Sequence, residues 1–256
     1  MIHSTAIIDP AAELSEGVSV GPYAIIGPGV SIDTGTEIGP HAVIRGPTRI
    51  GKNNRFFQFV SVGEAPQDKK YKGESTSLEI GDDNVIREYS TIHRGTIQDK
   101  GITLVGNGNL LMAYTHVAHD CVIGNHVIMA NGASLAGHVR VDDYAILGGF
   151  SLVHQFCKIG QFSFSGMGSV ISRDVLPYVM IGGTPTKPRG INNVGLERHG
   201  YSPEVIRQIR KAYKIIYKSG LKLDDAMQSL TEMAVGVTEL QCMVDFLRQT
   251  DRSIIR

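Results

Sequence analysis

An apolar residue recurs at nearly every sixth position between Val105 and Ile171, and only Ser165 interrupts this series. The same period runs without a break from Ile2 to Val62. A period of six matches neither an amphipathic helix nor a strand of a meander, and it is typical of a parallel β-helix built from hexapeptides. Each six-residue unit then forms a short strand and a corner, and three units close one triangular coil of eighteen residues.

Two further patterns fit such a coil. Glycine often follows the apolar residue, as in Val20-Gly21 and Ile26-Gly27, and glycine allows the sharp backbone bend of a corner. A small or short-branched residue often stands two positions before the apolar one, which suits a narrow interior; examples are Thr115, Cys121, Ala133, Ala145 and Ser151. We therefore interpret the N-terminal part of the chain as scaffold.

The period lapses twice. The polar segment from Glu64 to Ser77 predicts a loop thrown out from the coil, whose side chains either contact a ligand or are simply solvated. The second lapse, from Arg94 to Ile102, shifts the register. If seven residues loop out there, His93 joins the histidines near His116.

Beyond Ile171 the repeat fades, and three prolines predict a linker, namely Pro177, Pro185 and Pro188. Ser202-Pro203-Glu204 has the pattern of a helix N-terminus, and the helix is expected to end at Gly220. Two further helices are expected to start at Asp224 or Asp225 and at Thr238 or Glu239. We predict a β-helix domain over residues 1–190 and a helical domain over residues 191–256.

The composition limits the function classes. The 256 residues include 25 basic and 25 acidic ones, and zero net charge argues against nucleic-acid binding as the main task. The first twenty residues lack the apolar core of a signal peptide, and no run approaches eighteen apolar residues. The three cysteines, Cys121, Cys157 and Cys242, are expected to be buried free thiols. We expect a soluble, cytoplasmic protein.

Five histidines lie inside the regular repeat, and four of them have related positions on the cycle. His119, His138 and His154 are separated by nineteen and sixteen residues, close to one coil each, and His116 is near by. They are therefore expected near one corner in successive coils, which stack about 4.8 Å apart. His126 falls elsewhere on the cycle, and we assign it no role.

Three interpretations of this corner compete. The histidines could be corner residues that make local hydrogen bonds, or imidazoles from neighbouring coils could bind zinc. Alternatively, a neutral imidazole could remove a proton from a hydroxyl group at neutral pH. Asp120 would then orient the ring of His119, and the amide of Gly137 would stabilise an oxyanion. The hydrogen-bonding and zinc interpretations are both weaker than general-base catalysis.

The motifs THVAHDCVIGN, LAGHV, LVHQFC and TIHRGT resemble those of the UDP-N-acetylglucosamine O-acyltransferases that begin lipid A synthesis. The resemblance covers nearly the whole chain, including QDKKY, GINNVGLERHGYS and RKAYKIIYKSG. It implies a left-handed parallel β-helix with a C-terminal α-helical domain, mainly β in class. The left hand is itself an exception to the right-handed crossover rule.

The resemblance also implies roles for residues. His119 matches the general base for the sugar 3-hydroxyl, Asp120 its support and Gly137 the oxyanion amide. Six residues match family contacts to the sugar and phosphates: Asp68, Lys70, Tyr71, His93, His116 and His138. Four residues match contacts to the nucleotide: His154, Gln155, Asn192 and Arg198. The implied partners are UDP-N-acetylglucosamine and an acyl carrier protein bearing a 3-hydroxyacyl chain, with no metal or other cofactor. Since flat-sided solenoids associate side by side, we expect a homotrimer with sites in clefts between subunits.

Two departures from the family pattern concern the acceptor. Where the family often has asparagine, isoleucine, glutamate and glycine, this chain has Asn193-Val194-Gly195, and His199 replaces an arginine. A carboxylate and a fixed positive charge are thus missing, so nucleotide binding is expected to be weaker or differently arranged. The alternatives are N-acylation of a 3-amino UDP-sugar, a related hexapeptide acyltransferase, or a scaffold that binds nucleotide sugars without catalysis.

A third departure is Met167, at a position that resembles the floor of the acyl pocket, where some family members have glycine. It lies 48 residues after His119, which corresponds to roughly 2.7 coils or about 13 Å along the axis. Because methionine fills space that glycine leaves open, we predict a preference for an acyl chain of about ten carbons. The alternative is a methionine that fills the core beside Ser165.

Overall fold

The computed structural model describes residues 1–256, and its first two thirds form a parallel β-helix of three faces. The first face has nine strands: β1 (Ile7–Ile8), β4 (Ile25–Ile26), β7 (Val43–Ile44), β10 (Ser61–Glu64), β13 (Thr91–His93), β16 (His116–Val117), β19 (Ser134–Leu135), β22 (Leu152–Val153) and β25 (Val170–Ile171). Every strand pair on this face is parallel, as expected when each coil stacks on the one before.

The second face has eight strands: β2 (Glu13–Leu14), β5 (Val30–Ile32), β8 (Thr48–Ile50), β11 (Ser77–Ile80), β14 (Ile102–Val105), β17 (Val122–Ile123), β20 (Arg140–Val141) and β23 (Lys158–Ile159). The third face has ten: β3 (Ser19–Val20), β6 (Glu37–Ile38), β9 (Arg55–Phe56), β12 (Val85–Ile86), β15 (Leu110–Leu111), β18 (Ile128–Met129), β21 (Ile146–Leu147), β24 (Phe164–Ser165), β26 (Val179–Gly182) and β27 (Lys187–Ile191). The predicted period of six therefore produces the three faces.

The apolar series forms the core. From Val20 onward its members are almost completely buried and stack on their equivalents in the next coil, as Ile44 does on Val62 and Leu111 on Met129. Ser165 is buried as well, and its hydroxyl bonds to the Ser151 hydroxyl at 2.8 Å. This hydroxyl pair satisfies the one polar side chain that interrupts the series.

Both register lapses are loops. On the first face, Thr91 pairs with His116, twenty-five residues later, which is seven more than a regular coil. The seven-residue insertion predicted between Arg94 and Ile102 is therefore present, and it joins β13 to β14. The loop from Glu64 to Ser77 adds twelve residues, since Val62 pairs with Ile92. Each loop leaves the coil between the first and second faces.

The predicted linker after Ile171 is wrong. Strands β26 and β27 form an antiparallel hairpin that extends the third face. Pro188 is tolerated in β27 because this strand ends the sheet, so the missing N–H interrupts no further ladder. Pro185 lies in the hairpin turn rather than in a flexible connection.

Four helices complete the chain: α1 (Asn193–Arg198), α2 (Pro203–Lys218), α3 (Leu223–Met233) and α4 (Thr238–Arg248). The predicted N-terminus of α2 is correct, because the Ser202 hydroxyl accepts a hydrogen bond from the Val205 amide. The C-terminal tail returns to the β-helix, where Ile254 pairs with Asp174 and is fully buried. None of the four helices combines the length and the apolar character that a membrane-spanning helix requires.

Candidate active site

The turns between the first and second faces in three successive coils form what we call the histidine corner, residues 118–121, 136–139 and 154–157. In the first of these turns, His119 Nδ1 lies 2.8 Å from Asp120 Oδ2. The Asp120 side chain is completely buried and that of His119 is 15 % exposed. The imidazole is thus held at one nitrogen by a buried carboxylate while its other edge faces solvent.

The Asp120 carboxylate has one hydrogen-bonding partner residue besides His119, namely Thr96. The Thr96 amide donates to both carboxylate oxygens, at 2.9 and 3.0 Å, and the Thr96 hydroxyl donates to Oδ2 at 2.6 Å. Burial by itself would raise the pKa of Asp120, but the hydrogen bonds from His119 and Thr96 outweigh burial and hold the pKa below its usual value. Asp120 is therefore an anion at neutral pH.

Gly137 follows His119 by one coil and lies directly beside its ring. A Cβ added to Gly137 would lie 2.6 Å from His119 Cε1, so only glycine leaves the ring in its place. Neither the Gly137 amide nor His119 Nε2 makes a hydrogen bond within the chain. A free donor and a free imidazole nitrogen therefore lie at the same point of the corner.

His138 packs between two aromatic groups. Its ring stacks on Phe156 at 4.4 Å between centroids and meets His119 edge-on at 5.0 Å. Asp99, from the loop between β13 and β14, lies 3.0 Å from His138 Nδ1. This contact orients His138 so that Nε2 faces away from Asp99.

A cleft of about 680 Å³ opens in front of these groups. Asp68 and Lys70 reach it from the loop between β10 and β11, and Gln155 reaches it from the third turn of the corner. The complete lining is Gln67, Asp68, Lys70, Gln98, Asp99, His119, His138, Gln155 and Phe156. The lining thus combines two imidazoles, two carboxylates, one ammonium group and three glutamine amides.

Comparison with known proteins identifies the family of the chain. A family model described as "Udp N-acetylglucosamine O-acyltransferase; Domain 2" matches residues 174–255, and a bacterial transferase hexapeptide model matches residues 102–137. A curated acyl-[acyl-carrier-protein]–UDP-N-acetylglucosamine O-acyltransferase from Halorhodospira halophila is 57% identical over 100% of this chain and 99% of its own length. The chain belongs to the UDP-N-acetylglucosamine O-acyltransferase family.

Solved structures of the family share the whole fold. The UDP-N-acetylglucosamine acyltransferase of Francisella novicida matches with a TM-score of 0.98 and 42% identity, covering 100% of this chain and 94% of that one. LpxA from Acinetobacter baumannii matches with a TM-score of 0.97 and 51% identity, covering 100% and 99%. The predicted class, a left-handed parallel β-helix followed by helices, is thereby confirmed.

Three family-predicted contact residues lie beside the cleft rather than in its lining. His93 and His116 meet edge-on, 5.2 Å between centroids, and Thr91 holds His116 Nδ1 at 2.7 Å. Burial, followed by the charge of His116, lowers the pKa of His93 to about 4. Burial, followed by the charge of His119, also lowers the pKa of His116. The Tyr71 hydroxyl donates to the Glu74 carbonyl.

The three remaining predicted contact residues lie outside the cleft lining of the single chain. His154 is exposed in the third turn of the corner, 3.3 Å from Arg252. Asn192 caps α1 and donates to the Phe162 carbonyl, so its amide is used within the chain. Arg198, at the end of α1, is exposed.

Met167 is 80 % exposed, so it does not fill the core beside Ser165. It lies between β24 and β25, at the corner where the third face meets the first. His119 lies at the opposite edge of the first face. The distance of about 13 Å along the axis is therefore not the separation of the two residues, because counting coils ignores the corner on which each residue lies.

Sequence reasoning missed Thr96, Thr103, Asp99 and Phe156. Thr96 and Asp99 lie in a loop whose path no period describes. Phe156 follows Asp120 and His138 at intervals of eighteen, and all three adopt positive φ. That interval was the one signal available for it.

The atoms that could bind zinc at the histidine corner already make hydrogen bonds within the chain. His119, Asp120 and His138 offer ligand atoms within 4.8 Å of one another. However, both Asp120 oxygens already accept hydrogen bonds from Thr96, and Oδ2 also from His119. We therefore assign the cluster to hydrogen bonding. The cysteines are free, with Cys121 and Cys157 buried and Cys242 only partly buried.

Proposed function

We propose that the protein transfers a 3-hydroxyacyl chain from acyl carrier protein to the 3-hydroxyl of UDP-N-acetylglucosamine, the first step of lipid A biosynthesis. The observation that carries the proposal is the pair of unused groups at the histidine corner. His119 is bonded to Asp120 through Nδ1 and leaves Nε2 free, and the free Gly137 amide lies beside it. The names of full-length relatives support the same substrates.

The chemistry follows from these two groups. Nε2 of His119 removes the proton of the sugar 3-hydroxyl as its oxygen attacks the thioester carbonyl carbon. The Gly137 amide donates a hydrogen bond to the oxyanion that forms. As the carbon–sulfur bond breaks, the imidazolium returns its proton to the departing thiolate. The negative charge of Asp120 stabilises the imidazolium between these two steps.

The substrate contacts are the finer part of the proposal. Lys70 suits a phosphate of the nucleotide, and Asp68 suits a sugar hydroxyl, because both line the cleft in front of His119. His93 and His116 would act as neutral hydrogen-bonding groups, since the pKa of each is lowered. The β-helix domain of residues 1–190 would carry the catalytic groups, next to a helical domain of residues 191–256. We place the reaction in the cytoplasm, where thiols remain reduced.

We further propose a homotrimer with sites between subunits. In one chain, His119 and Met167 lie at opposite edges of the first face. We infer that Met167 of a second copy contacts the acyl chain bound at His119. A solution mass of three times 27.7 kDa is expected, and a monomeric active enzyme would contradict this arrangement.

The preferred acyl chain tests Met167. An exposed methionine at the end of the pocket would limit the chain to about ten carbons by occupying volume. Wild type should prefer the ten-carbon donor over the fourteen-carbon donor in direct competition, and Met167→Gly should shift the preference to the longer chain. Equal use of both donors by wild type would contradict the role of Met167.

The function itself is tested by product analysis. Wild-type protein is incubated with 3-hydroxyacyl carrier proteins of several chain lengths and with UDP-N-acetylglucosamine or its 3-amino analogue. An ester formed from the hydroxyl sugar is the expected product. An amide formed only from the amino sugar would change the acceptor, and no product with either sugar would overturn acyl transfer.

A further inference from the structure

The loop between β13 and β14, residues 94–101, returns to the histidine corner and places one residue against Asp120. That residue, Thr96, is completely buried. It gives Asp120 three of its hydrogen bonds, two from its amide and one from its hydroxyl. We propose that Thr96 is a positioning residue that sets the orientation and the basicity of the His119–Asp120 pair, an inference that rests on the proposed function.

The geometry fixes the direction of each hydrogen bond. An ionised carboxylate can only accept, so the Thr96 hydroxyl must donate to Oδ2. His119 Nδ1 reaches the same oxygen, at 2.8 Å against 2.6 Å for the hydroxyl. The two donors therefore share the charge of one oxygen. With the amide of Thr96 spanning both oxygens, the carboxylate has no freedom to rotate.

The path of the loop is held independently of Asp120. Arg94 donates from Nη1 to the carbonyls of Gly46 and Gly63, at 2.6 and 2.8 Å. A Cβ on Gly95 would lie 2.2 Å from the Ile102 nitrogen, so the chain turns there only with glycine. Thr96 itself accepts hydrogen bonds from the Asp99 and Gly101 amides. Hydrogen bonds that do not involve Asp120 thus hold the loop in the path that places Thr96 against Asp120.

The sign of the electrostatic effect follows. A hydrogen bond donated to a carboxylate spreads its charge and weakens its attraction for a neighbouring imidazolium. Removing the Thr96 hydroxyl therefore leaves more charge on Oδ2 for His119. The imidazole should then stay protonated to a higher pH, and the acid limb of the pH–rate profile should move upward.

Other charged groups face the pair and stay in place when Thr96 is changed. His138 Nδ1 is 3.9 Å from Asp120 Oδ2, and Asp99 bonds to His138. Cys121 remains a neutral thiol, because burial raises its pKa to about 12. The remaining groups around His119 are His93, His116, Asp68 and Lys70. Their contributions are common to wild type and variants and cancel in the comparison.

Thr103 provides a matched control. Thr103 is also completely buried, and its hydroxyl also bonds to Asp120. This hydroxyl accepts a hydrogen bond from the Asp120 backbone amide at 2.8 Å and does not contact the carboxylate. Thr96→Val and Thr103→Val each remove one buried hydroxyl of the same size. A purely structural role would make the two variants behave alike, whereas an effect through the carboxylate would separate them.

The experiment compares wild type, Thr96→Val, Thr96→Ser and Thr103→Val. We expect Thr96→Val to lower kcat by about tenfold with little change in the KM for the sugar, and to move the acid limb up by about half a pH unit. Thr96→Ser should restore both values because it keeps the hydroxyl. Thr103→Val should lower the Tm and leave the acid limb at its wild-type position.

Titration of the imidazole carbon signals by NMR separates this inference from the proposed function. The His119 signal, assigned with His119→Ala, should titrate at higher pH in Thr96→Val than in wild type, whether or not acyl transfer is observed. Equal midpoints in the two proteins would overturn the inference. The inference would also be overturned if the acid limb of the pH–rate profile lay at the same pH in Thr96→Val and wild type. Equal shifts of the acid limb in Thr96→Val and Thr103→Val would overturn it as well.

Discussion

Two corners of the β-helix use polar side chains in opposite ways. Where the second face meets the third, a buried ladder of asparagines links successive coils, formed by Asn54, Asn84 and Asn109. Each amide in this corner, which we call the amide corner, is bonded to the next coil. The histidine corner instead leaves His119 Nε2 and the Gly137 amide unused. The first arrangement holds coils together, and the second leaves groups free for a substrate.

The difference explains why the reactive groups can lie in a rigid scaffold. Buried polar groups normally need partners, and the asparagine ladder supplies them within the chain. At the histidine corner, the Asp120 side chain is buried and accepts hydrogen bonds from Thr96, while the Asp120 amide donates to the Thr103 hydroxyl. His119 lies between these buried groups and the solvent. The His119 side chain alone thus separates the buried hydrogen bonds around Asp120 from the groups that face a substrate.

Breaking the amide corner should cost the most stability. Asn109→Ala removes the hydrogen bonds to the Gly124 carbonyl and the Val127 amide inside the coil. We expect a loss of about 3 kcal/mol in the free energy of unfolding, because two buried groups lose their partners. The control, Asn107→Ala, removes two exposed hydrogen bonds at the same corner, one accepted from the Asp82 amide and one donated to the Asn125 side chain. Urea unfolding should show a larger loss of stability for Asn109→Ala than for Asn107→Ala, and kcat of the folded variants should be unchanged. Equal losses of stability in the two variants would contradict the structural role of the buried asparagines.

A methyl group at the histidine corner should impair activity but hardly affect stability. Gly137→Ala pushes the His119 ring from its place, since the new Cβ would lie 2.6 Å from Cε1. A shift of about 1 Å in a reacting group is expected to lower kcat by about 10²-fold. Gly149→Ala is the control, because its nearest atom would be 3.4 Å away. Steady-state kinetics measures kcat for both variants. A wild-type kcat for Gly137→Ala would contradict the claim that only glycine leaves the His119 ring in its place.

A smaller effect should appear in the pH dependence of stability. Because the pKa of His93 is lowered to about 4 in the folded chain, the unfolded chain binds more protons between about pH 4 and 6.5. Stability should therefore fall as pH falls, by about 2 kcal/mol from this group between pH 7 and 5. Urea unfolding of wild type and His93→Gln at both pH values measures the difference. If the variant showed the same pH dependence as wild type, burial of neutral His93 would not be the cause.

Much of the fold could be predicted because a six-residue period fixes which residues stack. The interval of eighteen places His119 beside Gly137, and the extra seven residues after His93 explain how His93 meets His116. Helix α2 was predictable from its cap. These features depend on local spacing alone.

The rest depends on paths that spacing does not determine. Thr96 reaches Asp120 through a loop of irregular backbone, so no period indicates the contact. Met167 was placed by counting along the axis, which ignores the corner on which a residue lies. Asn192 matches a contact residue by motif, and the sequence does not indicate that its side chain also caps α1 and bonds to the Phe162 carbonyl. Tertiary partners decide such cases.

The central claim is that the free nitrogen of His119 acts as the base. The direct measurement is the rate of acyl transfer from a 3-hydroxydecanoyl carrier protein to UDP-N-acetylglucosamine by wild type, His119→Ala and His126→Asn. His126 lies at the amide corner, stacked on Tyr144, and asparagine tolerates its positive φ. We predict a loss of about 10²- to 10⁴-fold for His119→Ala and a near wild-type rate for His126→Asn. An undiminished rate for a folded His119→Ala would contradict the account.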